Sequence, residues 1–371
     1  MTGGLIVLFG ILVMVMVHEA GHFVAAKAVG MKATEFFFGF GPRLWSFRRG
    51  ETEYGVKAIP LGGYVRIVGM NPYEEVPPED HGRTYREKPF WQKSVVVLAG
   101  VASHFVVAFL IFLLVASVIG TSEPTTTVLS VRQTLDDGTV TPAAAAGIMS
   151  GDRIVSIDGM VVEDWAGLVD ALEARPGKTV ELTVVRPEAC CPLSLMPTLA
   201  ALPDGAGGTI GFLGVEPTSR TTRVNPVIGI ARSGGAIAEA TVASAQGLWR
   251  LVAGFGDLVV ATVTGDTESI RDSRPASPIG LIRIGAETEQ LGIAFTLQLV
   301  ALINVFVGLF NVIPVYPLDG GHFSVALYEK IRGRPADVRK LIPVAAAVVL
   351  FMVLLGVLAI YLDITNPFTL R

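Results

Sequence analysis

Four long apolar segments dominate the pattern of hydrophobic positions along the chain. They run from Gly3 to Val29, from Val95 to Gly120, from Leu291 to Leu318 and from Leu341 to Leu362. Each exceeds the roughly 20 residues that an α-helix needs to cross the hydrocarbon core of a bilayer. The pattern therefore predicts a polytopic α-helical membrane protein with four transmembrane helices. We interpret the first segment as a retained helix, because no cationic region of a signal peptide precedes it.

The polar stretches between the apolar segments set the expected domain boundaries. These are 1–31 for the first span, 32–94 for a membrane-associated β-region with a linker, 95–120 for the second span, 121–220 for a compact α+β domain, 221–290 for an amphipathic region, 291–323 for the third span, 324–340 for a loop, and 341–371 for the fourth span and C-terminal tail. Within the amphipathic region, Arg232 to Val263 predicts a helix lying on the membrane surface.

The region after the first span has the pattern of a β-hairpin. Two short alternating runs, Leu44 to Phe47 and Glu53 to Ile59, flank a turn at Arg49-Gly50-Glu51. The surrounding sequence is rich in phenylalanine and glycine, which suggests a hairpin that dips toward the bilayer. A surface hairpin with an interfacial aromatic belt fits the same pattern equally well.

Composition supports a membrane protein and excludes several other classes. Of 371 residues, 51% are hydrophobic and 17% are charged, against about a quarter charged in typical globular domains, and the mean hydropathy is +0.56. The net charge of −4 provides no general attraction for nucleic acid. Cys190 and Cys191 are adjacent, so they cannot link distant parts of the chain.

The loops predict an orientation in the cell's inner or plasma membrane. Residues 32–93 contain ten Lys/Arg, and 324–340 are also basic, whereas the long loop between the second and third spans has twelve Lys/Arg and twenty Asp/Glu. By the positive-inside rule, the basic loops are cytoplasmic, and the long loop and both termini lie outside. The C-terminal end of the first span is then on the cytoplasmic side.

A candidate catalytic motif lies within the first span. His18-Glu19-Ala20-Gly21-His22 has the pattern H-E-x-x-H, which places two histidines on one helix face, where they can bind one Zn²⁺. Glu19 is then close enough to act as general base toward a water on the ion. Ionisable groups inside an apolar span are costly, which favours a functional role over a chance match, although a satisfied polar cluster is the alternative.

A catalytic zinc needs a third protein ligand and an open position. The other histidines are His81, His104 and His322, but one acidic residue, Asp319, directly adjoins the cytoplasmic end of another span. Pro314 and Pro317 precede it and interrupt the helix, and such an opening at membrane depth is tolerated where it lines a cavity. We therefore expect Asp319 to be the third ligand; alone, it would be interpreted as a helix-end acid.

The central polar region resembles a bacterial PDZ domain. The run from Pro142 to Gly159 contains PAAAAG, followed by SGDRI and IDG, with strands and helices predicted on either side in the matching order. Domains of this type bind an extended peptide by adding it to the edge of a sheet. Another small α+β domain with a Gly-Asp turn is the alternative.

Together these features resemble the site-2 protease family (peptidase M50), of the bacterial regulator-of-sigma-E protease type. The resemblance rests on H-E-x-x-H, the β-region, the PDZ insert and the late N-x-x-P-x-x-x-L-D-G, beginning at Asn311. It implies an intramembrane zinc metalloendopeptidase with His18, His22 and Asp319 as ligands and Glu19 as base. Asn311 would help to hold the substrate, and the β-region would keep the substrate extended.

The resemblance also implies partners. The substrate would be a single-span membrane protein such as an anti-sigma factor, cleaved beforehand by a site-1 protease and filtered by the external PDZ domain. Because a transmembrane helix must unwind before attack, we expect Gly62, Gly63 and their neighbours to pair with the exposed backbone. Pro314, at the interrupted helix, is a further candidate for substrate binding.

One position departs from the family pattern. The second span has Gly100-Val101-Ala102-Ser103-His104, with histidine where many relatives have asparagine. We expect His104 to form the same hydrogen bonds, to modulate the zinc or to support a ligand; a buried core histidine is the alternative. Two other functions remain open from sequence: a divalent-metal transporter using the same His/Asp cluster, and a non-catalytic PDZ scaffold.

Overall fold

The protein divides into two compact units. The computed structural model describes residues 2–71, 74–203, 208–265 and 275–366. Unit 1 combines Met1–Ile119 with Val224–Arg371, and unit 2 is Gly120–Arg223. The predicted membrane segments therefore all fall in unit 1, and the PDZ-like region falls in unit 2.

The N-terminal part of unit 1 consists of two long helices that flank a sheet. Its elements are α1 (Thr2–Ala28), β1 (Ala33–Arg49), β2 (Thr52–Ile67) and α2 (Phe90–Leu114), which continues as a π-helical turn at Val115–Ile119. Within the described residues, four helices are long and apolar enough to cross a membrane, and α1 and α2 supply two of them.

The two strands of unit 1 bend so sharply that they form four sheet segments. Phe36 pairs with both Val65 and Tyr54, and Phe38 pairs with both Gly63 and Val56. The segments therefore lie in the order 63–67, 33–38, 53–57 and 43–49. The predicted turn at Gly50 is present, but the aromatic stretch before it and the residues around Gly62 are strands as well. The 63–67 segment is one edge of this sheet.

Unit 2 is an α+β fold with its own core. Its elements are β3 (Thr121–Val131), α3 (Pro142–Ala145), β4 (Arg153–Ile157), β5 (Met160–Val161), α4 (Trp165–Glu173), β6 (Leu182–Val185), β7 (Leu193–Leu195), β8 (Ala200–Pro203), β9 (Thr209–Phe212) and β10 (Val215–Thr222). The main sheet has the order β10-β3-β4-β6-β7, with β5 paired to β4, and β8 and β9 form a hairpin. Its buried core includes Val128, Ile154 and Leu168. The helix starts are capped by Thr141 and Asp164.

The C-terminal part of unit 1 is helical. It contains α5 (Pro226–Ala253), α6 (Phe255–Thr264), α7 (Pro278–Thr288), α8 (Ile293–Val312), α9 (Asp319–Arg332) and α10 (Ile342–Thr365). The other two helices that could span a membrane are α8 and the segment Arg339–Thr365, which includes α10.

The helix predicted at Arg232 to Val263 is present as parts of α5 and α6, and α5 packs against two candidate spans. Ala240 lies in one buried cluster with residues from the middle of two candidate spans, Ala108 and Phe112 of α2 and Ala301 and Val305 of α8. Helix α5 therefore packs alongside these spans instead of lying across their ends. It bends by 62° into α6, and the pair counts as a possible fifth span by length and composition.

A sharp chain reversal separates α8 from α9. The third span ends at Val312, earlier than the predicted Leu318, and Pro314 and Pro317 lie in the connection. A Cβ at Gly320 would overlap the Val312 carbonyl, and a Cβ at Gly321 would overlap the backbone of Tyr316. These close approaches turn the first residue of α9, Asp319, back toward the end of α8.

Candidate metal centre and active site

Three predicted ligands meet inside unit 1. His18 and His22 lie one turn apart on α1, and Asp319 begins α9, about three hundred residues later. The two histidine Nε2 atoms are 3.1 Å apart. Asp319 Oδ2 lies 3.5 Å from His18 Nε2 and 3.3 Å from His22 Nε2. The structure thus brings together the three side chains that the sequence predicts as ligands.

These distances fit a tetrahedral zinc site. Zinc–nitrogen and zinc–oxygen bonds of roughly 2.0–2.1 Å at tetrahedral angles place neighbouring ligand atoms about 3.3 Å apart. The one possible ligand atom from each of the three residues lies within 4.8 Å of the others. His22 and Asp319 are buried, and His18 is half-buried. Two imidazoles and a carboxylate are also a donor set that zinc accepts while keeping a fourth position open.

The orientation of His22 is set by the second span. Its Nδ1 donates to the carbonyl of Val96 at 2.8 Å, which leaves Nε2 with a lone pair for a metal. This contact requires α1 and α2 to lie very close together. A Cβ at Gly100 would overlap the His22 ring, and a Cβ at Gly21 would lie 2.6 Å from the Ala99 carbonyl oxygen. Glycine at both positions permits the approach.

Glu19 lies between the ligands and the sheet. Its Oε2 accepts a hydrogen bond from the backbone N–H of Val65 at 3.0 Å. A Cβ at Gly63 would lie 3.7 Å from Glu19 Cγ and 2.7 Å from Met16 Sδ. The 63–67 segment is therefore packed directly against the face of α1 that carries the motif, and it holds one oxygen of the predicted base.

Ion pairs hold the opposite end of the sheet to the end of α1. Glu51, in the turn between β1 and β2, contacts Lys27 of α1 and accepts from Arg83 at 2.9 Å. The Arg83 guanidinium and the Lys27 ammonium lower the pKa of Glu51 to about 2, so its charge is kept throughout the physiological range. The sheet is thus fixed to α1 at both ends, which limits how far the 63–67 segment can move from Glu19.

His104 lies behind the ligands. It is 2% exposed, and its ring centroid is 4.9 Å from that of His18. Asn304 of α8 is also buried and lies beside it, and Gly308 packs against its Cβ. This position is buried in the helix bundle and beside His18, a predicted metal ligand.

The remaining predicted residues lie around the site without joining the ligand cluster. Gly62 and Gly63 are in β2, against Val15 and Met16 of α1. Asn311 is half-buried in the last turn of α8. Pro314 is exposed and lines a cavity between the α8–α9 connection and the start of α10. The last two residues therefore lie near the chain reversal that positions Asp319.

Sequence reasoning missed the backbone groups that orient the site. The Val65 N–H and the Val96 carbonyl contact Glu19 and His22, yet every residue carries such groups, so no residue type marks them. The motif in the second span includes Gly100, but the sequence does not reveal that Gly100 packs against the His22 ring. Asn304, Gly308 and Asn311 are spaced at i, i+4 and i+7 and so share one face of α8, and this spacing is a signal in the sequence for the surroundings of His104.

Comparisons with known proteins agree with this architecture. Residues 6–355 match the family described as Peptidase family M50. The zinc metalloprotease Rip1 of Mycolicibacterium smegmatis is 34% identical over 402 residues, covering 98% of each chain. Rip1 of Mycobacterium tuberculosis is 32% identical over 407 residues, covering 100% of this chain and 98% of its own.

A solved structure is similar to part of the chain. The PDZ domain of an SdrC-like protein from Listeria monocytogenes is 23% identical, and the match covers 26% of this chain and 90% of that domain, with a TM-score of 0.21. The family match covers nearly the whole chain, and the two Rip1 relatives match it over almost their full length. The chain therefore belongs to peptidase family M50, and it is a membrane-embedded zinc metalloprotease of the site-2 type.

Proposed function

We propose that His18, His22 and Asp319 bind the catalytic zinc and that Glu19 is the general base in cleavage of a transmembrane segment. The observation that carries this proposal is the convergence of the three ligand atoms at 3.1–3.5 Å from one another, with Glu19 beside them on the same helix.

The chain's own residues supply positioning and proton transfer. Zinc, when bound, polarises a carbonyl and lowers the pKa of a water toward about 7. Glu19 takes a proton from the attacking water and passes it to the leaving amine. The Val65 N–H holds one Glu19 oxygen at 3.0 Å, which aims the carboxylate and leaves the other oxygen for the water.

The 63–67 segment is the proposed place for the unwound substrate. A peptide bond inside a transmembrane helix is shielded by the helix's own hydrogen bonds, so the substrate must become extended. A cavity lies along Tyr64–Ile67 and is also lined by Tyr316 and His322, next to Asp319. An extended strand added there would lie beside Glu19. Gly62 and Gly63, directly before this segment, are proposed to pair with the exposed substrate backbone, and Asn311 and Pro314 are candidates for holding the substrate at the chain reversal.

The opposite edge of the sheet fits contact with lipid. Leu44, Trp45 and Phe47 are 68%, 59% and 48% exposed, and Arg48 and Arg49 follow them. Aromatic side chains beside cationic ones are typical of the interface between hydrocarbon and head groups.

We assign the metal site to the cytoplasmic side of the membrane, and unit 2 and both termini to the other side.

We assign unit 2 as a PDZ domain that selects the substrate. The natural substrate is then a single-span membrane protein, for example an anti-sigma factor, whose external part has first been shortened by a site-1 protease. The observation in support is the order of elements around the Gly151-Asp152 turn: α3 precedes the turn, and β4, β5 and α4 follow it. This is the order that the resemblance to a PDZ domain predicts. A bound peptide would extend a sheet edge of this unit.

The central test separates metal binding from catalysis. Glu19→Gln should abolish cleavage of a tagged single-span substrate in detergent or liposomes while the purified protein keeps one zinc, because the amide cannot accept the proton. Asp319→Asn should lose both cleavage and zinc. Glu79→Gln, at an exposed acid outside the site, is the matched control and should behave as wild type. Cleavage by Glu19→Gln, or full zinc content in Asp319→Asn, would overturn the assignment.

A further inference from the structure

Four buried polar atoms belong to three neighbouring side chains, those of His18, His104 and Asn304. They are His18 Nδ1, both ring nitrogens of His104, and Asn304 Oδ1. Within the described residues none of them has a partner at good hydrogen-bond geometry, although Asn304 lies close to His104 and the Gly100 carbonyl lies close to His18. Native proteins pair nearly all such atoms, because an unpaired buried polar group loses its interactions with water and gains none. The four atoms occupy neighbouring side chains, so they can satisfy one another.

The numbers of donors and acceptors match. A histidine that binds a metal through Nε2 carries its proton on Nδ1, so His18 Nδ1 is a donor. A neutral imidazole such as that of His104 has one donor and one acceptor. Asn304 Nδ2 already donates to the Val300 carbonyl at 2.9 Å, which leaves its Oδ1 as an acceptor. One chain of two hydrogen bonds therefore pairs all four atoms.

We propose that His104 is a positioning residue for the metal centre: it accepts a hydrogen bond from His18 Nδ1 and donates one to Asn304 Oδ1. This inference rests on the proposed role of His18 as a zinc ligand. The two rings are 4.9 Å apart and tilted by 35°, so a rotation of the His104 ring turns one nitrogen toward His18. Gly308 presents no side chain to His104, and a Cβ there would lie 2.9 Å from His104 Cβ, so glycine permits this close packing of α8 against α2.

The two hydrogen bonds from His18 through His104 to Asn304 are called the relay below. With this relay, each proposed histidine ligand has a partner on the ring nitrogen that does not face the metal. His22 has the Val96 carbonyl, and His18 has His104. Such partners fix the tautomer and orientation of a ligand and make it more basic. The Gly100 carbonyl also lies near His18, but it already accepts from Ser103 Oγ at 2.6 Å. Two groups could therefore orient His18, the His104 ring and the Gly100 carbonyl. Changing the His104 side chain distinguishes them.

The test measures metal binding by the full-length protein in detergent. Zinc affinity is determined by competition with a chelator, and the visible absorption of the Co²⁺-loaded protein reports the ligand geometry. His104→Leu should weaken zinc binding by roughly 10–100-fold and change the Co²⁺ spectrum, because an aliphatic side chain can neither accept nor donate. His104→Asn should restore both toward wild type, because an amide offers one acceptor and a donor. Phe105→Leu, the adjacent residue of α2, controls for altered packing.

Asn304→Leu provides a second route to the same answer if His104→Leu does not fold. It removes the acceptor at the end of the relay and should weaken zinc binding, with little additional loss when combined with His104→Leu. Wild-type zinc affinity in His104→Leu, or equal damage from asparagine and leucine, would overturn the relay. Absence of zinc and cleavage in the wild type would instead overturn the proposed function on which the relay depends.

Discussion

The carbonyl oxygen of Val96 reaches His22 because two helices cross without side chains between them. At the crossing, Gly21 of α1 faces the Ala99 carbonyl, and Gly100 of α2 faces the His22 ring. A methyl group at either position would push the helices apart or rotate the imidazole. The positions of the predicted ligands therefore depend on two glycines that have no side chain with which to bind a metal or take part in catalysis.

Gly100→Ala is expected to impair the metal centre severely. The new Cβ would overlap the His22 imidazole, so either the ring turns away from Val96 or α2 moves outward, and both changes remove the hydrogen bond that orients the ligand. Loss of such a partner typically costs 10–100-fold in metal affinity. Chelator competition on the purified protein measures the change. Gly356→Ala, in α10, has open space around its Cβ position and should bind zinc as wild type does.

The sequence predicted the side chains that the structure brings together, and it missed the backbone groups that hold them. His18, Glu19 and His22 stood out because ionisable residues in an apolar span are costly, and Asp319 stood out because it adjoins the end of another such span. Val65 and Val96 act through their backbones, so their residue type carries no signal. The relation of His104 to Asn304 required knowing how α2 and α8 pack.

Among the secondary-structure elements, β4 and β6 of unit 2 are joined at their ends by an ion pair between a buried carboxylate and a partly exposed arginine. Asp152, just before β4, is fully buried and accepts from Arg186 Nε and Nη2 at 2.8 Å each, and from the Met149 N–H at 2.9 Å. Burial alone would raise the pKa of Asp152, but the hydrogen bonds and charge of Arg186 outweigh it and hold the pKa below its usual value.

The stability of unit 2 should therefore depend on pH through Asp152. Its native carboxyl binds a proton less readily than the unfolded one, whose pKa is about 3.9. The pair stabilises fully above that value, and its contribution disappears as the pH falls through the lower native pKa. Asp152→Asn should cost about 2 kcal/mol at pH 7, the scale of hydrogen bonds to a charged group. The difference from wild type should shrink below about pH 4.

Thermal unfolding of residues 120–223, expressed alone, measures this difference between pH 7 and pH 2.5. Asp136→Asn is the matched control, because Asp136 also pairs with an arginine, Arg132, but its side chain is 96% exposed. An exposed pair contributes little, so this variant should unfold like wild type at every pH. A difference between Asp152→Asn and wild type that persists unchanged at low pH would contradict the ion-pair explanation.

The sequence predicts an element well when one property, such as hydropathy, defines it. It predicts an element poorly when charged, small and glycine residues occur together in the same segment. The four apolar spans follow from hydropathy alone. Helix α5 carries Arg232 and Glu239 along with many small residues, which resembles a surface helix, yet its small side chains allow it to pack against α2 and α8. The first strand was partly missed because Gly39 and Gly41, both at positive φ, resemble loop residues while serving to bend the strand.

At the scale of the whole molecule, unit 2 is inserted between neighbouring points of unit 1. The backbone N–H of Val224, where the chain re-enters unit 1, donates to the Ala116 carbonyl at 3.1 Å, three residues before the chain leaves it. The hydrophobic core of unit 2 is composed of its own residues. A short Gly/Ser linker can thus replace the insert without stretching either helix.

Replacing residues 120–223 with such a linker should separate catalysis from selection. The ligands, Glu19 and the 63–67 segment all belong to unit 1, so zinc content and cleavage of a substrate with a short external part should remain near wild type. A substrate with an intact external domain, which the complete protein should cleave poorly, should now be cleaved at a comparable rate. The measurement is the ratio of the two cleavage rates, in liposomes, with and without unit 2. If the shortened protein keeps its zinc and cleaves the short substrate but still rejects the long one, the selection resides in unit 1, and the role proposed for unit 2 is wrong.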